Sequence, residues 1–202
     1  MTQEGYIKFQ CDWEKKNFTF SKKNFKNINE WRKKLFDHEL LGVNMEGIGF
    51  GNLSIREENT NRFIITGSET GRHEELSKNH YARVIDYDIA SNYVKCVGQV
   101  KASSESLSHA AIYESDPEVN GVIHTHHERL WKLLKNKLPT TSPEVEFGTP
   151  EMAEEIKKLM ENRDVRIEKI MIMGGHKEGI ITFGRDLDEA GGVLLKYFNQ
   201  IG

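Results

Sequence analysis

The sequence predicts an α/β domain whose sheet is mainly antiparallel, with helices on its faces. Three observations point there. Short apolar runs come in pairs separated by polar turns, as hairpins do. Stretches of helical period lie between the pairs. The 202 residues suffice for one sizeable core and not comfortably for two.

Each element follows from its local pattern. Tyr6, Ile7, Phe9, Cys11 and Trp13 largely alternate, and Phe18 and Phe20 follow the polar turn at 14–17, which predicts a leading hairpin. From Asn27, read as a helix cap, Ile28, Trp31, Leu35 and Phe36 recur at helical spacing in a stretch running to Leu41. Residues 47–56 and 62–66 are β-like runs around a polar turn and form a second hairpin. Ser77 stands where it caps a short helix reaching Arg83, and residues 84–89 and 93–97 make a third strand pair. Ser104 precedes a helix over 105–114 that turns Leu107, Ala110, Ala111 and Tyr113 inward. Residues 119–126 read as a buried strand that leads into a helix bearing Leu130, Leu133 and Leu134. Thr149-Pro150 opens another helix, because proline fits the first helical position, and Met152, Ile156, Leu159 and Met160 keep its period. Strands at 169–173 and 180–183 bracket a glycine-rich loop, and Asp186 caps a last helix.

Composition narrows the function. Lys plus Arg number 28 against 31 Asp plus Glu, a net charge of −3, so no overall basic field grips nucleic acid or an anionic membrane. No apolar run reaches the length of a spanning helix and Met1 to Gln10 lacks the pattern of a leader, so the expectation is a cytoplasmic protein. Cys11 and Cys96 show no zinc spacing and are expected as buried free thiols.

The eight histidines carry the chemistry. His124 and His126 stand two apart in a β-like run, where a period of two turns both imidazoles to one face. Paired histidines in a strand are often only half-buried packing groups; read as ligands, they chelate. A catalytic zinc takes three protein ligands and keeps one position open. His176, on the glycine-bracketed turn between two strands, is the candidate third ligand, whereas His38, His73, His80 and His127 sit in polar contexts and read as surface. Ser103-Ser104-Glu105 opens a helix, which is complete as a cap and an acidic first turn. The same hydroxyls and free N–H groups also suit a substrate phosphate, with Glu105 as a carboxylate beside a metal. His109 follows Glu105 by four residues on the same helix face and is either a supporting partner or a packing group.

Taken in order, Gly51-Asn52-Leu-Ser54 with Arg56, Thr66 to Gly71, Ser103-Ser104-Glu105, His109, His124-Thr-His126, Gly148-Thr149 and His176 resemble the class II aldolase/adducin family. The resemblance runs from about residue 27 to the end, so residues 1–26 are expected as an accessory hairpin and 27–202 as the family domain. It implies an αβα sandwich around a predominantly antiparallel sheet, assembled as a homotetramer with active sites at subunit interfaces. It further implies one divalent metal ion per chain, usually Zn²⁺ with Mn²⁺ or Co²⁺ as alternatives, held by His124, His126 and His176. Glu105 matches a glutamate that ligates this metal without substrate and serves as the acid/base. Asn52, Thr70, Gly71, Ser103 and Ser104 match contacts to the phosphate of a small phosphorylated sugar, and the metal stabilises the substrate's enediolate.

The sequence also departs from the family pattern. Ala102 stands where proline is usual, and the phosphate loop at 66–71 has an extra residue and contains Glu69. Lys177 and Glu178 split the usual His-Gly pair after His176, and no tyrosine occurs between Tyr113 and Tyr197, where aldolases keep one to protonate the departing aldehyde. The leading expectation is a metal-dependent aldolase-type lyase acting on a small phosphorylated sugar or hydroxy-ketone. Sugar-phosphate dehydration or epimerisation, a non-catalytic adducin-like assembly domain and metal-dependent hydrolysis are the competing readings.

Overall fold

The computed structural model describes residues 6–58 and 60–201. In chain order they form β1 (Gln10–Lys15), α1 (Lys22–Asp37), β2 (Gly42–Val43), β3 (Gly49–Phe50), β4 (Asn52–Arg56), β5 (Phe63–Thr66), a one-turn 3-10 helix (Lys78–His80), β6 (Tyr81–Asp88) and β7 (Tyr93–Gly98). There follow α2 (Ser106–Ser115), β8 (Gly121–His126), α3 (Glu128–Leu134), α4 (Pro150–Met160), α5 (Arg163–Glu168), β9 (Ile170–Ile172), β10 (Gly179–Gly184) and α6 (Leu187–Phe198).

Eight strands make one sheet in the order β1-β7-β6-β5-β4-β8-β10-β9, and β2 pairs with β3 beside it. Every pairing in the large sheet is antiparallel except that of β1 with β7. Alternation along the strands then builds two cores. Val122, Ile181 and Phe183 join α2 and α4 on one face, whereas Leu53, Ile123 and Ile180 join α1, α3 and α6 on the other. Each buried Leu or Ile stabilises its layer by roughly 1.5–3 kcal/mol. The result is the expected αβα sandwich. α2 lies deepest, buried on all sides from Ser106 to Tyr113, which is why its small residues Ala110 and Ala111 occur there.

Several local expectations are corrected. No leading hairpin forms: residues 10–15 are a single edge strand, parallel to β7, and residues 18–20 are not a strand. Phe20 instead packs edge-on against Phe25 and Tyr81, so its apolar character serves the α1 layer. α1 is capped by Ser21, whose hydroxyl accepts from the Asn24 N–H, and not by Asn27; a boundary at residue 26 would cut this helix. The helix expected after Ser77 is one 3-10 turn, because β6 begins at Tyr81 and draws residues 81–83 into the sheet. Ser104 does not cap α2; Glu105 occupies that position and its side chain makes no capping bond. α5 was not expected. Thr149 and Asp186 cap α4 and α6 as predicted.

Candidate metal centre and phosphate cleft

His124 and His126 project from the last half of β8 on the α2 face. In the ladder His124 stands opposite Asn52 of β4 and Ile181 of β10, and His126 opposite Gly179. His176 arrives from the turn between β9 and β10, which is closed by a bond from the Gly179 N–H to the His176 carbonyl at 2.9 Å. Glycines set this turn's position. A Cβ on Gly174 or Gly175 would run into the carbonyls of Thr141 or Val145, and one on Gly179 would press on the His176 ring at 3.1 Å.

The three imidazoles converge, with ring centroids 4.9, 5.0 and 4.5 Å apart, and one nitrogen from each lies within 4.8 Å of the others. His124 Nδ1 donates to the Ile180 carbonyl at 3.2 Å. Its Nε2 lone pair is thereby turned toward His126 Nε2, 3.1 Å away. Two imidazole nitrogens on a tetrahedral ion, with bonds near 2.0–2.1 Å, stand about 3.3 Å apart, so the pair already has a chelating separation. Burial, followed by the neighbouring His126 and His176, holds His124 well below the usual imidazole range. It stays neutral, as a metal ligand must. These buried nitrogen donors fit a divalent transition metal.

Glu105 stands beside this trio and outside it. Its Oε2 accepts from the Ser108 hydroxyl at 2.8 Å, and its Oε1 lies 4.0 Å from His176 Nδ1. The buried carboxylate therefore faces the imidazoles, and among the described residues the three histidines form the convergent donor set.

The five neutral residues expected to hold phosphate also come together. Asn52, Thr70, Gly71, Ser103 and Ser104 line a cleft of about 30 Å³. Asn52 is aimed by a relay. Its Oδ1 meets His109 Nε2 at 2.6 Å, His109 Nδ1 meets the Ser54 hydroxyl at 2.7 Å, and Ser54 meets the Tyr113 hydroxyl at 2.7 Å. An amide oxygen only accepts, so His109 carries its proton on Nε2 and accepts from Ser54 on Nδ1. Burial takes His109 down to about 3, which keeps it neutral and keeps the relay in this sense. Asn52 is left with its NH₂ as the donor for the cleft. Glu69, also at the rim, takes a left-handed φ of 62° and is exposed.

Sequence reading missed the groups that brace the centre. Phe147 stacks on His176 at 4.1 Å between centroids, and Lys8 Nζ sits 3.9 Å from the centroid of the Phe147 ring while donating to the Phe147 carbonyl at 2.7 Å. Phe147 adjoins the Gly148-Thr149 motif, which was its only signal; nothing local marked Lys8. Three of the four histidines read as surface are half-buried. His127 accepts from the Leu130 N–H and caps α3, His80 accepts from the Ser77 N–H, and His38 bonds the Lys34 carbonyl. Cys96 is buried, Cys11 is half-buried, and both are free. Among the described residues no helix is long and apolar enough to cross a membrane.

Comparison with known proteins agrees with this fold. A curated L-fuculose phosphate aldolase of Methanocaldococcus jannaschii is 29% identical over 171 residues, covering 78% of this chain and 82% of that relative. A 3-oxo-tetronate 4-phosphate decarboxylase of Haemophilus influenzae is 30% identical over 164 residues, covering 70% of each. Among solved structures, an L-fuculose 1-phosphate aldolase superposes with a TM-score of 0.67 at 22% identity, covering 90% of this chain and 85% of that one. The family model of the class II aldolase and adducin N-terminal domain matches residues 38–196. With that match over most of its length, the chain belongs to the class II aldolase/adducin family.

Proposed function

We propose that this protein is a metal-dependent lyase that breaks a carbon–carbon bond in a small phosphorylated ketose or hydroxy-ketone. One observation carries the reading: the buried carboxylate of Glu105 lies 4.0 Å from one of three convergent imidazoles, and in the chain it directly follows Ser103 and Ser104, which line the cleft of neutral phosphate donors. A divalent ion held by His124, His126 and His176 would supply Lewis-acid polarisation of the substrate's oxygens. The chain's own residues do the rest. Asn52, Thr70, Gly71, Ser103 and Ser104 hold the phosphate, fixing the reacting carbons beside Glu105. The N-terminus of α2 adds its positive dipole end to that grip. Glu105 carries the proton to or from the carbon that becomes a carbanion, and Ser108 orients it by donating to Oε2.

A specific observation favours a second reaction at the same site. Aldol cleavage needs a group to handle the proton of the departing aldehyde's hydroxyl, and the chain has no tyrosine between Tyr113 and Tyr197. Loss of CO₂ from a β-keto acid phosphate needs no such group, only a proton for the carbon left behind. The relative named as a decarboxylase supports that reading. A sugar-phosphate panel assayed for both released aldehyde and released CO₂ separates the two. In either case Glu105→Gln should lower kcat by about 10²- to 10⁴-fold with metal stoichiometry retained. Full activity in that variant, or no product from any ketose or keto-acid phosphate with Zn²⁺, Mn²⁺ or Co²⁺, removes the proposal. We further propose assembly as a homotetramer, to which the fully exposed Met45 between β2 and β3 offers an apolar contact; sedimentation measures it.

A further inference from the structure

The cleft contains no basic side chain among its lining residues, yet a positive charge lies buried directly behind it. Arg32 of α1 is 2% exposed. Its Nη1 donates to the Glu74 carbonyl at 2.6 Å, and its Nη2 to the carbonyls of Thr70 and Gly71 at 3.3 and 3.4 Å. No carboxylate lies within ion-pair distance of it among the described residues. A buried guanidinium held by neutral carbonyls and by the ring of Phe36, 5.2 Å from its Cζ, with no carboxylate to pair it, is an unusual arrangement, because buried charges are ordinarily paired.

The contrast with Arg56 sharpens this. Arg56 is also buried and also bonded only to carbonyls, those of Val119, Tyr113 and Asp116. Those of Tyr113 and Asp116, however, belong to the last turn and cap of α2, whose negative dipole end answers the charge. Arg32 meets loop carbonyls that belong to no helix end. The loop it holds is the one that lines the cleft. In a trans peptide the N–H points opposite to the C=O, and no cis bond occurs among the described residues. With the Thr70 carbonyl turned to Arg32, the Gly71 N–H is turned away from it, on the side where Gly49 also lines the cleft.

We infer that Arg32 is a positioning residue for the substrate's anionic group: it fixes the loop's N–H groups toward the cleft, and the bound phosphate is the counter-charge its guanidinium otherwise lacks. This rests on the cleft being a phosphate site. It deepens that reading by assigning a full positive charge behind the cleft to a residue that does not touch the ligand.

The test is inorganic phosphate binding to the metal-loaded full chain by calorimetry, with metal content measured in parallel. Arg32→Gln, which keeps a hydrogen-bond donor without charge, should weaken binding by about tenfold, while Arg32→Lys stays within about threefold and metal content is unchanged in both. Wild-type affinity in Arg32→Gln overturns the inference while leaving the lyase reading intact. Arg32→Lys binding about tenfold more weakly than wild type also overturns it, and this arm decides if the glutamine variant does not fold. Wild-type protein that binds no phosphate overturns both readings. Charge-dependent phosphate binding without any carbon–carbon cleavage supports Arg32's role and removes only the lyase.

Discussion

The two ends of β8 use buried polar groups in opposite ways. At the Gly121 end, Arg56 closes the C-terminus of α2, and the Asn120 N–H meets the Gly184 carbonyl at 2.8 Å. Unlike groups satisfy one another there, and the arrangement is complete. At the His126 end three imidazoles crowd together with a carboxylate nearby. Like groups face like there: burial, then the neighbouring imidazoles, holds His124 well below the usual range, and one nitrogen from each ring lies within 4.8 Å of the others. Size does not distinguish the ends in the expected direction. A groove of about 1120 Å³, lined in part by Lys23, Arg56, Glu118 and Asp186, lies at the Gly121 end, whereas the phosphate cleft is about 30 Å³. The difference teaches that a buried cluster of mutually unfavourable titratable groups marks chemistry better than volume does.

Substitutions at each end break this comparison if the wrong property changes. The largest effect is expected from His126→Ala, which should abolish stoichiometric metal binding and lower activity by more than the about 10- to 100-fold typical of a residue that only supports a ligand. Metal analysis and kinetics check it, with little change expected in the unfolding midpoint of the metal-free chain. At the other end Arg56→Met should do the reverse. Two buried carbonyls and the half-buried one of Asp116 lose their donor, so stability should fall by about 3 kcal/mol in urea denaturation while metal affinity is kept. Metal loss in that variant would mean that the ends are coupled through β8.

Acid sharpens the contrast further. His109 is held near 3 by burial against an ordinary imidazole value of 6.5, so the unfolded chain binds the proton more readily. The stabilisation is complete above 6.5 and is lost as pH falls from there toward about 3. Thermal unfolding of the metal-free chain between pH 7.5 and 4 should show this decline, and His109→Asn should flatten it. The smallest effect is expected at Lys8. Lys8→Met removes the bond to the Phe147 carbonyl and the ion pair to Glu146 at 3.2 Å, loosening the ring stacked on His176. A loss of about tenfold or less in metal affinity, measured by chelator competition, is the expected result.

Much of this was legible because its cause is local. The period of two in β8 put His124 and His126 on one face, glycines marked the turn that carries His176, and Thr149-Pro150 and Asp186 announced their helices. The leading hairpin failed for a non-local reason. Residues 10–15 form a strand as their alternation indicates, but the partner is β7, more than 80 residues away, and nothing in the adjacent sequence announces that choice. Likewise α2 has almost no apolar stripe to read, because it is buried on every side.

By itself, then, the sequence determined the residue types that ligate, cap and donate, and the periods that place them on faces, since both are properties of a few neighbouring residues. The tertiary structure alone decided which groups meet. Lys8 reaches Phe147, Arg32 reaches the carbonyls of Thr70 and Gly71, and His109 aims Asn52. Such contacts depend on the packing of whole layers, where side chains distant in sequence must share a buried space and satisfy one another's polar groups.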